Sequence, residues 1–472
     1  MTATLAAILA YLVLQLAIGV WLSRRISSEA DYLVAGRQLG YRLAIFSTFA
    51  TWFGAETVVG AAGTTYRDGL SIASAEPFGY GLCLLLMGAI FAVPLWRRGL
   101  TTLADLFRQR YSAGVERVAA VILVPSSVLW AAAQVRAFGT VLATAAPGID
   151  VPTGIAVAAG FAVLYTAFGG LLADATTDLL QGVLLVVGLL AVGWAVLAAV
   201  GGPAGVPDAL EAARQARAAA LLAAGAAGGA RPGWLEVAEA WAVPVLGSVV
   251  ATELVARVIA TRTPVVARRS TLVAGALYVS VGLIPVFIGT VGGALAPSLA
   301  DAEQLVPTLA QRLLPTAGYA LFAGGLISAI LSTVDSTLLV ASGLLSHNLL
   351  VPLLGVTDEA RKVRLARAGV LVLGAVAYAL ALRADGVFAL VEEASAFGSA
   401  GTLVCVTFAL FTRLGGVGTA YATLGVGMAS YLAGRQLGVT APFLLSLASA
   451  LAVYLLGAAV ERGARAAAPG AA

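Results

Sequence analysis

The stretch GGLISAILSTVDST, residues 324–337, sits inside a long apolar run, yet its last six residues include Ser332, Thr333, Asp335, Ser336 and Thr337. On a helix Ala329, Ser332 and Thr333 stand at i, i+3 and i+4, so one face presents two hydroxyls beside the Ala329 carbonyl. Such a face offers oxygen ligands to a hard cation. The same hydroxyls can instead return to carbonyls of the preceding turn or bond across a helix interface.

The run is one of many. The chain has 472 residues, 60% of them hydrophobic and 11% charged, whereas a soluble domain is about a quarter charged. Crossing a bilayer takes about 20 apolar helical residues. Thirteen stretches qualify: 3–23, 43–62, 72–96, 115–146, 151–170, 176–201, 234–256, 268–297, 305–346, 364–384, 386–411, 416–434 and 440–461. The first has no basic residue before it and Arg24 and Arg25 after it, the reverse of a cleavable signal peptide's charge order, and reads as a retained span. The largest connection, 202–233, is too short for a soluble domain, although DALEAARQAR within it predicts a short helix. Residues 1–472 are therefore expected to form one membrane domain.

Basic residues resist translocation and collect on the cytoplasmic side. With thirteen spans and an outside N-terminus, the cytoplasmic connections hold 20 basic residues, among them Arg24, Arg37, Arg97, Arg257, Arg262, Arg361, Lys362 and Arg413. The outer connections hold 6: Arg67, Arg214, Arg217, Arg231, Arg383 and Arg435. Arg136 and Arg312 fall within spans. The expected location is a bacterial inner membrane with the C-terminus cytoplasmic. The bacterial source is suggested by abundant alanine and by a single lysine among 28 basic residues.

This topology accounts for the net charge of +4 without nucleic acid. Cys83 and Cys405 fall within spans, so no disulfide framework is implied. One histidine with two distant cysteines cannot assemble a four-ligand zinc site, and no GxxxxGK phosphate loop is present. Nothing in the motifs predicts an enzyme.

Two spans read badly as continuous helices. Gly54 and Glu56 interrupt the second, and Pro244 and Gly247 interrupt the seventh. Interrupted spans at corresponding places in two halves point to inverted repeats whose unwound segments meet a solute at mid-membrane. The repeats are expected at about 43–201 and 234–411, flanked by helices 3–23, 416–434 and 440–461.

These motifs resemble the sodium:solute symporter family, which includes bacterial proline and galactose transporters. SAILSTVDS resembles the SAxxSTxDS of its eighth core helix, and FATWFGAETVVGAAG, residues 49–63, resembles its broken first core helix. FGGLLADATTDLLQG, residues 168–182, resembles GGLxAVxWTDxxQ, with Thr176 in place of the aromatic. DYLVAGRQLG, residues 31–40, fits the pattern before the first core helix. The resemblance implies an all-α, LeuT-type membrane fold of 5+5 inverted repeats. It further implies a secondary symporter that imports a small polar organic solute, such as an amino acid, carboxylate or sugar, by alternating access. Sodium would be the coupling ion, with no other cofactor and no obligate protein partner. Carried over by position, the sodium ligands are the carbonyls of Ala50, Phe53 and Ala329 and the hydroxyls of Ser332 and Thr333. Similar family positions put Asp178, with Gln181 at i+3, on the route of sodium release, and Asp335 is read either on that route or in a structural pairing.

An ionisable group inside the membrane is costly unless partnered or solvated, which singles out Glu56, Glu76, Arg136 and Glu253. In one reading Arg136 and Gln134 receive a solute carboxylate while Glu56 or Glu76 receives an ammonium or hydroxyls. In the other, Arg136 pairs with Glu56 or Glu253 and meets no solute. Among the aromatics, which include Phe53, Trp130, Trp241 and Phe397, only Trp52 in the break is taken as a solute contact. His347 is expected as a solvated helix-end residue. Two other functions stay open. One is a solute sensor acting with a signalling partner; the lack of a kinase-sized extension after ERGARAAAPGAA counts against an autonomous sensor but not against a partnered one. The other is a proton-coupled symporter working through Asp178 or Asp335.

Overall fold

The structure, a computed structural model, describes residues 3–145, 148–223, 232–384 and 386–467; Arg231 lies outside them. Among the described residues the chain is helical apart from one isolated backbone bridge, Leu39 to Thr261. Several helices start on a side-chain cap that satisfies an orphan amide. Asp150 accepts from the Thr153 amide at 3.0 Å, Thr263 from Val266 at 3.1 Å and Asp358 from Arg361 at 2.8 Å.

Among the described residues eight helices are long and apolar enough to cross a membrane, or ten if each of two bent pairs is one span. Each of the thirteen stretches is built around a helix, but 151–170 and 176–201 share one, Val151–Ala199, of 49 residues. At 1.5 Å per residue it would be about 74 Å long if straight, over twice the hydrocarbon thickness. It is not straight: Gly170 breaks it at φ 61°, ψ −179°. That region of backbone space is open essentially to glycine alone. A Cβ there would also stand 2.9 Å from the Tyr32 ring and 3.0 Å from its carbonyl oxygen. Gly170→Ala is therefore expected to cost about 1–3 kcal/mol, read as a lower melting temperature in detergent. Gly160→Ala on the same helix, where a Cβ meets nothing within 4 Å, should melt like the native protein.

Both expected interruptions are present. The first broken helix runs Tyr41–Trp52 and resumes at Glu56–Asp68 after a 53° bend. The second, Trp234–Ile259, passes through a wide turn at Val243–Gly247, unwinds at 248–251 and resumes at Thr252. It is the most enclosed span, 89% buried in its most apolar window, whereas Pro442–Gly463 is 28% buried there and presents Leu456 and Val460 outward. Apolar side chains facing out are what a lipid-exposed helix requires.

Two basic residues stand elsewhere than expected. The stretch 305–346 divides at Leu314 and Pro315 into Leu305–Leu313 and the long helix Thr316–Gly343. Arg312 therefore sits exposed in the last turn of a short helix, not within a span. Arg257, counted among connection residues, is inside the helix Thr252–Ile259 and fully buried, because carboxylates from another helix meet it there.

Candidate functional site

The break in the first helix leaves backbone groups without helical partners. Phe53, at φ −92° and ψ 70°, ends the first half, with its buried ring between Phe49 and Tyr278. Carbonyls at this helix end carry the negative pole of its dipole. The helix Thr316–Gly343 brings Thr333 against them: its Oγ1 lies 3.5 Å from the Ala50 carbonyl oxygen, 3.2 Å from that of Thr51 and 3.2 Å from that of Ala329. One hydroxyl proton can serve one of these three oxygens, so the cluster has acceptors to spare. Buried oxygens at a half-helix C-terminus fit a small hard cation. Ser332 points away from this cluster and donates to Asp178. Of the five carried-over ligands, the structure gathers Ala50, Ala329 and Thr333, sets Ser332 one bond aside, and adds the carbonyl of Thr51.

A buried acidic network adjoins the oxygens. Asp178 accepts from Ser47 at 2.6 Å and from Ser332. Asp174, one helical turn before it, accepts from Ser336 at 3.0 Å and pairs with Arg257, which also donates to Ser336 and lies 3.8 Å from Asp178. Ser336 and Thr51 hydroxyls are 3.3 Å apart. Asp335 accepts from Thr166 at 2.8 Å, and the Gln181 amide is buried without a partner. Four helices thus share one polar network of two carboxylates and the Arg257 guanidinium, with Asp335 beside it on Thr166. Sequence reasoning missed Asp174 and Arg257. The signal was available, since Asp174 stands where GGLxAVxWTDxxQ has valine.

The expected solute residues divide in space. Glu56 folds back onto the break, accepting from the Gly54 amide at 3.2 Å and from Gln134 at 2.6 Å, while Gln134 Oε1 accepts from the Ala55 amide at 3.0 Å. A Cβ at Gly54 would stand 2.5 Å from Glu56 Oε2, so a side chain there would push the returning carboxylate aside. Glu76 accepts from Thr57 and Tyr278, both at 2.9 Å. Trp52 packs 5.2 Å from Trp130, and Trp130 lies 6.1 Å from Tyr80. Arg136 and Glu253 are apart from this group: Arg136 donates to the Ala381 carbonyl at 3.3 Å, and Glu253 accepts from Ser127. His347 is not a solvated end residue. Its ring is 26% exposed and spans Glu29 at 2.9 Å and Asp105 at 3.2 Å.

Two cavities open beyond the far end of the first broken helix. One of about 440 Å³ reaches Glu76 and Tyr80; a larger one of about 1040 Å³ reaches Arg136, and both share Thr64, Arg67 and Glu392. At the opposite end the two broken helices are tied together: the Leu39 amide donates to Ala260 and Arg262 donates to Leu39, both at 3.0 Å. Trp96 adds a bond to the Thr261 carbonyl at 2.8 Å and Arg37 one to Leu100 at 2.7 Å.

Compared with known proteins, residues 32–424 match the sequence model of the sodium:solute symporter family. The chain belongs to the sodium:solute symporter family. Within it, the high-affinity choline transporter of Caenorhabditis elegans is 27% identical over 378 residues, 73% of this chain and 62% of that one. The sodium/pantothenate symporter of Escherichia coli is 25% identical over 78% of this chain and 77% of its own. The chain spans 31% of the Drosophila melanogaster choline transporter at 32% identity and 62% of the nematode one, so it matches under two thirds of these relatives' length. A sodium-coupled sialic acid symporter solved in an outward-open state superposes with a TM-score of 0.80 at 18% identity, covering 98% of both chains. This symporter-family chain therefore has a LeuT-type fold and is a multi-pass membrane protein; its relatives are transporters, not enzymes.

Proposed function

We propose that the protein couples sodium entry to import of a small polar organic solute by alternating access. The observation that carries this is the buried oxygen cluster of Ala50, Thr51, Ala329 and Thr333 contributed by two helices. Sodium bound there favours the arrangement in which those helices are close. Coupling then comes from the difference in sodium affinity between the two states. The five-helix repeats at 43–201 and 234–411 would rock against one another, and Asp178 and Asp335 would lie on the ion's inward route.

Placing the arginine-rich ends in the cytoplasm puts the N-terminus outside a bacterial inner membrane. It also makes the sealed ends cytoplasmic and the cavities external, an outward-facing arrangement. Choline and pantothenate, which similar transporters are named for, differ in charge, so likeness leaves the solute class open. A second reading, proton coupling, is favoured by two buried carboxylates, Asp174 and Asp178, that share one arginine, with a third, Asp335, buried nearby. A solute sensor with a signalling partner keeps the same binding site without net uptake.

Proteoliposomes holding the full chain separate these readings. Solute accumulation under an imposed sodium gradient, with none under a pH gradient, is the expected result. Accumulation driven by the pH gradient alone would replace sodium by protons, and binding without accumulation under either gradient would favour the sensor.

A further inference from the structure

We infer that the solute is an organic ammonium cation carrying a hydrogen-bond acceptor, received by the Glu76 carboxylate and the faces of Trp52, Trp130 and Tyr80. The inference rests on the transporter reading for this being a solute site, and adds the chemical class.

The charge pattern comes first. Glu56 is occupied, since one of its oxygens takes the Gly54 amide and the other takes Gln134. Glu76 is not. Both of its donors, Thr57 and Tyr278, go to Oε1; Oε2 is buried with no partner, and the residue is 8% exposed. Leaving a buried carboxylate oxygen unmet costs free energy that a bound cation would recover. Among the described residues no ion pair within 4.0 Å joins Glu56 or Glu76 to a basic side chain. In the 440 Å³ cavity above, Arg67 is matched by Asp68 at 2.8 Å, which leaves Glu76 and Glu392 as its lining acids outside any ion pair among the described residues. Such a cavity enriches cations. Arg136, the group that would receive a carboxylate, lines the other, larger cavity.

The aromatic pattern agrees. Trp52 and Trp130 meet at 51°, and Tyr80 and Trp130 at 52°. These tilted rings offer indole faces, the strongest partners for an organic cation. Both indole N–H groups are buried without acceptors, so the ligand's oxygen has donors waiting. A small void of about 20 Å³, enough for roughly one water, is lined by Trp130, Ser248 and Ser395. It lies one helical turn deeper than the cavity, which is lined by Pro244 and Glu392 on the same two elements. Tyr80 closes the step between them, its hydroxyl 2.9 Å from Ser395. Opening that bond would join the cavity to the aromatic group.

The test uses the purified full chain in detergent with saturating sodium and three probes. These are a small trimethylammonium alcohol, its uncharged isostere with carbon replacing the ammonium nitrogen, and a carboxylate of similar size. Calorimetry is expected to show the ammonium binding at least about tenfold more tightly than the isostere. Glu76→Gln should erase most of that preference and leave isostere binding unchanged. Trp130→Phe removes an N–H that both probes can use and a better cation-binding face that only the ammonium uses, so it should weaken the ammonium more than the isostere, and it carries the test if Glu76→Gln does not fold. Equal binding of ammonium and isostere, tighter binding of the carboxylate, or a preference intact in both variants would overturn the assignment. Sodium-induced thermal stabilisation without solute keeps the two ideas separable. If it persists while the ammonium fails, the class is wrong and sodium binding stands. Ammonium binding indifferent to sodium leaves the class standing and removes the coupling.

Discussion

Arg257→Met is expected to lower the yield of folded protein sharply, because it strands Asp174 and Asp178 in the interior without their counter-charge. Arg257 and both carboxylates are buried, and the guanidinium reaches Asp174, Ser336 and, at 3.8 Å, Asp178. Removing one partner of such a pair costs about 3–5 kcal/mol, much of it the penalty of the orphaned charge. That is a large share of the 5–15 kcal/mol by which typical domains are stable. The check is a double-variant cycle by thermal melting. Arg257→Met with Asp174→Asn should recover part of the loss, since it removes the nearer of the two stranded charges, whereas Arg257→Met alone should not. Native-like melting of the single variant would show that the pair contributes nothing. Arg257 lies on the second broken helix and Asp174 on the kinked helix, so the same variants should also loosen the sealed end.

Thr333→Ala is expected to raise the sodium concentration needed for half-maximal thermal stabilisation by about tenfold to a hundredfold. A hydrogen bond or ligand to a charged group is worth about 1.5–3 kcal/mol, and each 1.4 kcal/mol is a factor of ten. Ser332→Ala should have the smaller effect, because its hydroxyl reaches Asp178 and not the carbonyl cluster. Asp178 keeps Ser47 at 2.6 Å in that variant. The double variant should keep its fold while requiring the most sodium. An unchanged sodium midpoint in the double variant would move the ion site elsewhere.

Much of this architecture was legible because membrane insertion imposes simple patterns. Apolar runs of spanning length, Gly54 and Pro244 within two of them, and the hydroxyls of Ser332 and Thr333 at i+3 and i+4 from Ala329 are all local features. Each constrains structure without knowledge of distant contacts. The number of separate helices was less legible. Whether 151–201 is two helices or one kinked helix depends on the backbone of Gly170, which lies against Tyr32 from a distant part of the chain. The short helix Leu305–Leu313 was hidden because its apolar face continues the hydropathy of the next span.

Partner choice was the least legible part. Nothing local distinguishes Arg257, buried against Asp174, from Arg262, which sits at the exposed end of the same segment and donates to the Gln38 carbonyl. Nor does the sequence separate Glu56, consumed by the backbone of the break, from Glu76, left with one free oxygen. Composition and period determined by themselves that this is a helical membrane protein with two broken spans and a hydroxyl face. They could do so because burial in lipid forces every backbone group to be satisfied within its own segment. Which carboxylate is paired, which is vacant and which hydroxyl meets the carbonyls was decided by tertiary structure, because those partners lie dozens to hundreds of residues apart and meet only when four helices pack.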